Sequence, residues 1–166
     1  MHKIEDVVCF LNDRELSVTT VESCTAGLAA AMMAAISGCG TSLQGGFVVY
    51  TKEAKHKYLD VSLQTIETYG LTSEEVAREM ALGALKHSTA DVILAITGTA
   101  ESNDQLNGVV CFAYALRSEN GCRLFSESRS FSGDRNQVRN AAAAHGLISL
   151  PDMFTRMQTF PEIPVP

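Results

Sequence analysis

The sequence has no surplus of basic charge: 13 Lys and Arg stand against 19 Asp and Glu in 166 residues, a formal net charge of −6. Proteins that gain affinity chiefly by neutralising phosphate backbones carry the opposite sign, which argues against nucleic acid as a partner. Nor is there an uninterrupted apolar run approaching the roughly 20 residues that cross a bilayer, so no membrane partner is expected. The five cysteines (Cys9, Cys24, Cys39, Cys111 and Cys122) are odd in number and contain no C-x-x-C pair, and the four histidines are scattered. That pattern supports neither a disulfide framework nor a zinc ribbon, and fits reduced thiols in the cytoplasm. The first residues, Met1-His2-Lys3-Ile4-Glu5-Asp6, place acids where a secretory signal needs a basic and then an apolar stretch. Internal repeats and domain linkers are missing as well.

What is present is enough apolar residue for an ordinary core. Hydrophobic residues make up 46% and charged residues 19% of the chain, too apolar for a disordered segment. Area scaling gives a folded surface of about 8,000 Å² against about 26,000 Å² unfolded, so roughly 69% is buried with no metal or disulfide staple. The length is that of one domain.

Hydrophobic spacing sets the order of elements. Ile4, Val7, Val8 and Leu11 follow the i, i+3, i+4, i+7 rule of an amphipathic helix. Ser17 to Val21 is β-branched and reads as a strand; Glu22-Ser23-Cys24-Thr25 then leads into an Ala-rich helix with Leu28, Met32 and Ile36 at helical spacing. Gly38-Cys39-Gly40 breaks the chain before a second strand, Gly46 to Tyr50, and a helix begins at the polar stretch 51–55. Ser62 caps a short helix that ends at Gly70, and Thr72 with Glu75 has the form of a capping box before Val76, Met80 and Ala84. Val92 to Ile96 lacks alternation, as a strand covered on both faces does, and empties into the polar loop 97–104. Val109–Leu116 and Arg123–Phe131 flank Asn120-Gly121, the dipeptide of a tight hairpin. Asp134 with Gln137 caps a last helix through Leu147, which Pro151 ends or kinks. The reading is one three-layer α/β/α domain over residues 1–158, its mixed, mostly parallel sheet carrying an antiparallel hairpin, with a frayed, extended Pro-rich tail at 159–166.

In an open α/β sheet the ligand site lies beyond the carboxyl ends of the parallel strands, where helix-start amides face the crevice. Three segments meet that condition: Glu22 to Gly27, Tyr50 to Lys55, and Thr97-Gly98-Thr99. Together they offer a hydroxyl nucleophile, a phenol, amines, and donors for a phosphate or an oxyanion, a set suited to hydrolysis. Each has a plainer reading alone. Ser23 or Thr25 caps a helix; Cys24 is a packing thiol or a rival nucleophile; Lys52, Lys55, His56 and Lys57 form a solvated helix face. His87 and His145 have no second ligand at metal spacing, so no metal is expected, and Met32, Met33 and Met80 fill the core. Arg135 and Arg139, one helical turn apart, reach a phosphate or a neighbouring subunit, or make a surface ion pair.

The segments taken together are more specific. Glu22-Ser23-Cys24-Thr25-Ala26-Gly27, Gly46-x-x-x-Tyr50-Thr51-x-Glu53-Ala54-Lys55, Ser73-Glu74-Glu75-Val76-Ala77, Thr97-Gly98 and Phe131-Ser132-Gly133-Asp134-Arg135-x-x-Val138-Arg139 resemble, in order and spacing, the CinA C-terminal domain family from Ile4 to Met157. The resemblance implies an amidohydrolase that deamidates nicotinamide mononucleotide (NMN), with no cofactor and with self-association. It implies Ser23 as nucleophile, Lys55 and Tyr50 as the groups that move its proton, and Thr25 with the amides of Ala26 and Gly27 as holders of an oxyanion or phosphate. Gly46, Thr97, Gly98 and Arg135 complete the implied substrate site. Two departures stand out: Ala26 replaces a glycine of the family pattern, and 99–104 replaces a Gly- and Pro-containing loop with one that bears Glu101 and Asp104. They leave open an alternative, a paralogue that keeps the fold and binds a nucleotide-like ligand without turnover.

Overall fold

A computed structural model describes residues 3–166. Its elements follow the order α1 Ile4–Asp13, β1 Val18–Glu22, α2 Leu28–Ala34, β2 Leu43–Val48, α3 Lys52–Leu59, α4 Leu63–Tyr69, α5 Glu74–His87, β3 Val92–Gly98, β4 Val109–Ser118, β5 Gly121–Ser130, α6 Arg135–Ile148 and α7 Leu150–Met157. The sheet runs β2-β1-β3-β4-β5. The pairs β1–β2 and β1–β3 are parallel, while β3–β4 and β4–β5 are antiparallel, so β4 alone runs against the other four. The accessible surface is 8052 Å², matching the figure expected from chain mass.

Alternation along the buried strand divides the core in two. Val92, Leu94 and Ile96 of β3 join Val7, Leu11, Met33, Phe112 and Leu147 beneath α1, α2, α6 and α7. Ile93 and Ala95 face the opposite way and join Leu59, Val76, Met80 and Leu85 beneath α3, α4 and α5. Both faces are covered, which is why the strand reads as continuously apolar. No helix among the described residues is long and apolar enough to cross a membrane.

Four local expectations are corrected. The cap of α5 is Ser73, whose hydroxyl accepts from the Val76 amide, because Thr72 is engaged with Thr99 instead. The strand β2 spans Leu43–Val48 instead of Gly46 to Tyr50; a Cβ at Gly46 would sit 2.8 Å from Thr20 Oγ1, so glycine there marks close packing within the strand. Pro151 lies in the first turn of a separate helix, α7, where its missing N–H costs nothing. The tail is extended but docked. Ile163 exchanges two backbone hydrogen bonds with Cys122, at 2.8 and 2.9 Å, and Ile163 and Val165 pack on the second core cluster.

The chain leaves the carboxyl ends of β1 and β3 in opposite directions, toward β2 and β4 respectively. That is the switch point at which open α/β sheets place their ligands.

Candidate active site

Ser23 directly follows β1, and its amide extends the parallel ladder by one bond to the Ile96 carbonyl (2.9 Å). The residues after it turn sharply: Ala26 and Gly27 both have positive φ, 50° and 95°. Two side chains fix this turn. Glu22, almost wholly buried, accepts from the amides of Gly27, Ala29 and Ala30 at 2.9, 3.1 and 2.9 Å. Arg139 donates from α6 to the Cys24 and Thr25 carbonyls at 2.8 and 3.2 Å. It is therefore neither a phosphate ligand nor half of a surface ion pair.

Lys55 sits in the first turns of α3, where side chains lean back toward the helix start. Its stem is wholly buried, so it leaves the solvated face formed by Lys52, His56 and Lys57. The ammonium donates to Ser23 Oγ (2.7 Å), the Val49 carbonyl (2.9 Å) and the Tyr50 carbonyl (3.0 Å). Burial lowers its pKa from 10.5 to about 8, because a charged amine loses hydration there that three neutral acceptors replace only in part. Ser23 Oγ has a second partner, the Tyr50 carbonyl at 3.4 Å. With Lys55 charged, the serine proton turns to that carbonyl. With Lys55 neutral, its freed lone pair accepts the same proton. The pair is thus a poised alcohol and base.

These residues open onto a crevice of about 230 Å³ lined by Ser23, Cys24, Tyr50, Leu71, Thr72, Thr97, Gly98, Thr99, Ala100, Glu101 and Arg135. Thr97 is tied to the Leu71 carbonyl (2.9 Å) and Thr72 to Thr99 (2.7 Å), which joins two of the lining segments. Arg135 donates to the Tyr50 hydroxyl at 2.7 Å. The phenol is therefore engaged at the crevice mouth, and it is the Tyr50 carbonyl that meets Ser23. Burial pushes the Cys24 thiol up to about 11, which leaves it protonated at neutral pH and removes it as a rival nucleophile.

Several expected binding residues are elsewhere. Thr25, Ala26, Gly27 and Gly46 do not line the crevice. The Thr25 hydroxyl is buried without a hydrogen-bond partner among the described residues, and Ala26 faces solvent. The helix-start amides expected to hold an anion are occupied: Ala26 and Leu28 bond to the Ser23 and Thr25 carbonyls, and Gly27, Ala29 and Ala30 bond to Glu22. The Val49 and Tyr50 carbonyls that cradle Lys55, and the carbonyl grip of Arg139, were not foreseen. A backbone acceptor leaves no mark on residue identity. His145 contacts Glu127, and His87 contacts Asp60, both away from the crevice.

The model of the CinA C-terminal domain family matches residues 2–154. The chain belongs to that family. Among relatives of this CinA-type domain, the nicotinamide-nucleotide amidohydrolase PncC of Escherichia coli K12 is 38% identical over 158 residues, covering 93% of this chain and 94% of that protein. Its namesake in Enterobacter agglomerans is 42% identical over 134 residues, covering 78% and 80%. Longer relatives exist, such as a CinA-like protein of Chloroherpeton thalassium of which this chain covers 34%. The solved CinA superfamily protein of Escherichia coli superposes with a TM-score of 0.80 at 35% identity over 90% of each chain. A competence/damage-inducible protein of Agrobacterium tumefaciens gives 0.81 at 30% identity, covering 96% and 98%.

Proposed function

We propose that this CinA domain is an amidohydrolase that converts NMN and water to nicotinic acid mononucleotide and ammonia. The carrying observation is the 2.7 Å contact between Ser23 Oγ and a buried Lys55 Nζ beside a crevice. Full-length relatives named for this reaction support the choice of substrate.

In this reading neutral Lys55 takes the Ser23 proton as Oγ attacks the carboxamide carbon. The Lys55 ammonium then protonates the departing nitrogen, the carbon–nitrogen bond breaks, and ammonia leaves a nicotinoyl ester on Ser23. Water, deprotonated by the same amine, cleaves the ester and restores the serine. The amides of Cys24 and Thr25 follow the nucleophile and, among the described residues, donate to no backbone carbonyl; they are the donors left for the oxyanion. Thr97, Gly98 and Thr99 flank the ring, while Arg135 and the Tyr50 phenol receive the phosphate at the mouth. A crevice of about 230 Å³ is below the roughly 300–1,000 Å³ of whole-ligand pockets, so it takes part of the nucleotide, the reacting ring, and leaves the phosphate end near solvent.

Ala26 does not obstruct this site, because its methyl points to solvent. The Asp104 carboxylate accepts from the Ser102 hydroxyl and the Leu106 amide, within its own loop. The non-catalytic alternative keeps one support, the loop 99–104, whose Glu101 lines the crevice. The protein acts as a soluble homo-oligomer in the cytoplasm. The deciding assay is ammonia release from NMN: wild type releases it, Ser23→Ala loses at least about a thousandfold in rate, and equal release by both proteins would refute the proposal.

A further inference from the structure

Of the side chains that line the crevice, two carry formal charge, Arg135 and Glu101. Arg135 is already engaged with the Tyr50 phenol. Glu101 is exposed and has no hydrogen-bond or ion-pair partner among the described residues. Its backbone, by contrast, is held on both sides. The Thr99 amide bonds to the Val109 carbonyl and the Gly108 amide to the Thr99 carbonyl, each at 2.9 Å. The Ser102 amide bonds to Asn107 Oδ1 at 2.9 Å, and Ala100 is buried. A free carboxylate is thus presented on an anchored turn that lines the same crevice as Tyr50 and Arg135, with no ion pair between Glu101 and Arg135 among the described residues. The second acid of the loop, Asp104, turns into its own backbone and does not line the crevice.

We infer that Glu101 is a specificity-determining residue, selecting carboxamide substrates whose ring carries a positive charge. This rests on the deamidase reading above. NMN is a zwitterion: its ring nitrogen is quaternary and cationic, its phosphate is anionic, and the ribose holds the two apart. One cation and one anion that line a single crevice without pairing to each other suit that arrangement, with Arg135 on the phosphate and Glu101 on the pyridinium. A carboxylate that faced the phosphate would be repulsive and would weaken every nucleotide equally. Facing the ring, it discriminates between two molecules alike in size, carboxamide and phosphate, namely NMN and its dihydro form, in which the ring nitrogen is uncharged. The pair is half in solvent, so the effect is modest and screened by salt.

The experiment compares wild type with Glu101→Gln and Glu101→Lys at low ionic strength, measuring kcat and KM for NMN and the inhibition constant of dihydro-NMN as a competitor. Glu101→Gln raises KM for NMN about five- to tenfold, changes kcat less than twofold, and leaves the inhibition constant of dihydro-NMN within twofold. Glu101→Lys raises KM for NMN further, its cation repelling the pyridinium, and changes the inhibition constant of dihydro-NMN much less. Equal changes for both ligands, no change for either, or a KM for NMN that falls on neutralising Glu101 each overturn the inference. A wild-type protein that releases no ammonia from NMN refutes the underlying reading instead, so the two failures are told apart.

Discussion

The buried lysine makes stability depend on pH in a direction that can be worked out beforehand. Lys55 titrates at 10.5 when exposed to water and at about 8 in the folded protein. Between those values the unfolded chain binds more protons than the folded one, so stability rises with pH across that interval. Below pH 8 the folded state carries the full cost of a dehydrated ammonium, about 3 kcal/mol at about 1.4 kcal/mol per pH unit. Between pH 7 and 9.5 the gain from relieving that cost is about 2 kcal/mol. Other groups also titrate there, which Lys55→Met controls for by deleting only this one; Cys24, raised to about 11, stays neutral throughout. The measurement is urea unfolding of wild type and Lys55→Met at both pH values. The wild-type stability, taken relative to the variant, rises by about 2 kcal/mol, equivalent to about 4–8 °C in melting temperature for a chain of this size. A difference that is flat with pH, or that falls, would mean that Lys55 is not held in a dehydrated site, and the activation of Ser23 would lose its cause.

The same group governs the rate. Because the base must be neutral, kcat/KM for NMN rises tenfold per pH unit below about 8 and levels off above it; a profile flat from pH 6 to 9 contradicts Lys55 as the base. Ala26→Gly relieves a left-handed backbone at φ 50° and raises stability by about 1 kcal/mol, read as a melting temperature about 2–4 °C higher with activity retained. Glu22→Gln places an amide donor against three backbone donors and costs about 2–3 kcal/mol in urea unfolding; an unchanged midpoint contradicts the capping role. Ending the chain at Phe160 removes the Cys122–Ile163 pairing and lowers stability by about 2 kcal/mol, whereas no change would mean that the tail contributes nothing.

The fold was legible where burial dictates residue type. Val92 to Ile96 has no polar position because both of its faces are covered, and Asn120-Gly121 marks the β4–β5 hairpin one residue late, since the turn is Glu119-Asn120 and Gly121, at φ 155°, opens β5 opposite Ser118. Reading was weaker where two residues could do one job. Thr72 and Ser73 are adjacent hydroxyls at a helix start, and what assigns the cap to Ser73 is Thr99, distant in sequence. The tail shows the same limit: Pro161, Pro164 and Pro166 forbid a helix, yet pairing Ile163 with Cys122 requires knowing that β5 lies at the sheet edge.

For the candidate site, identity and environment separate in an instructive way. Ser23 and Lys55 were nameable from motif wording, but neither is reactive by type: a serine is inert without a base, and a surface lysine is charged at neutral pH. Reactivity comes from placement. Thr51 caps α3 by accepting from the Ala54 amide, which starts the helix where Lys55 reaches back to the Val49 and Tyr50 carbonyls and to Ser23. Glu22 and Arg139 meanwhile hold the turn that presents Ser23, one by its amides and the other by its carbonyls. The helix-start amides expected to grip substrate are consumed in that task. In the proposed reading, anion recognition falls instead to Arg135 and charge selection to Glu101, both exposed residues that line the crevice, while the buried Glu22 and Lys55 hold the turn and the base beneath them.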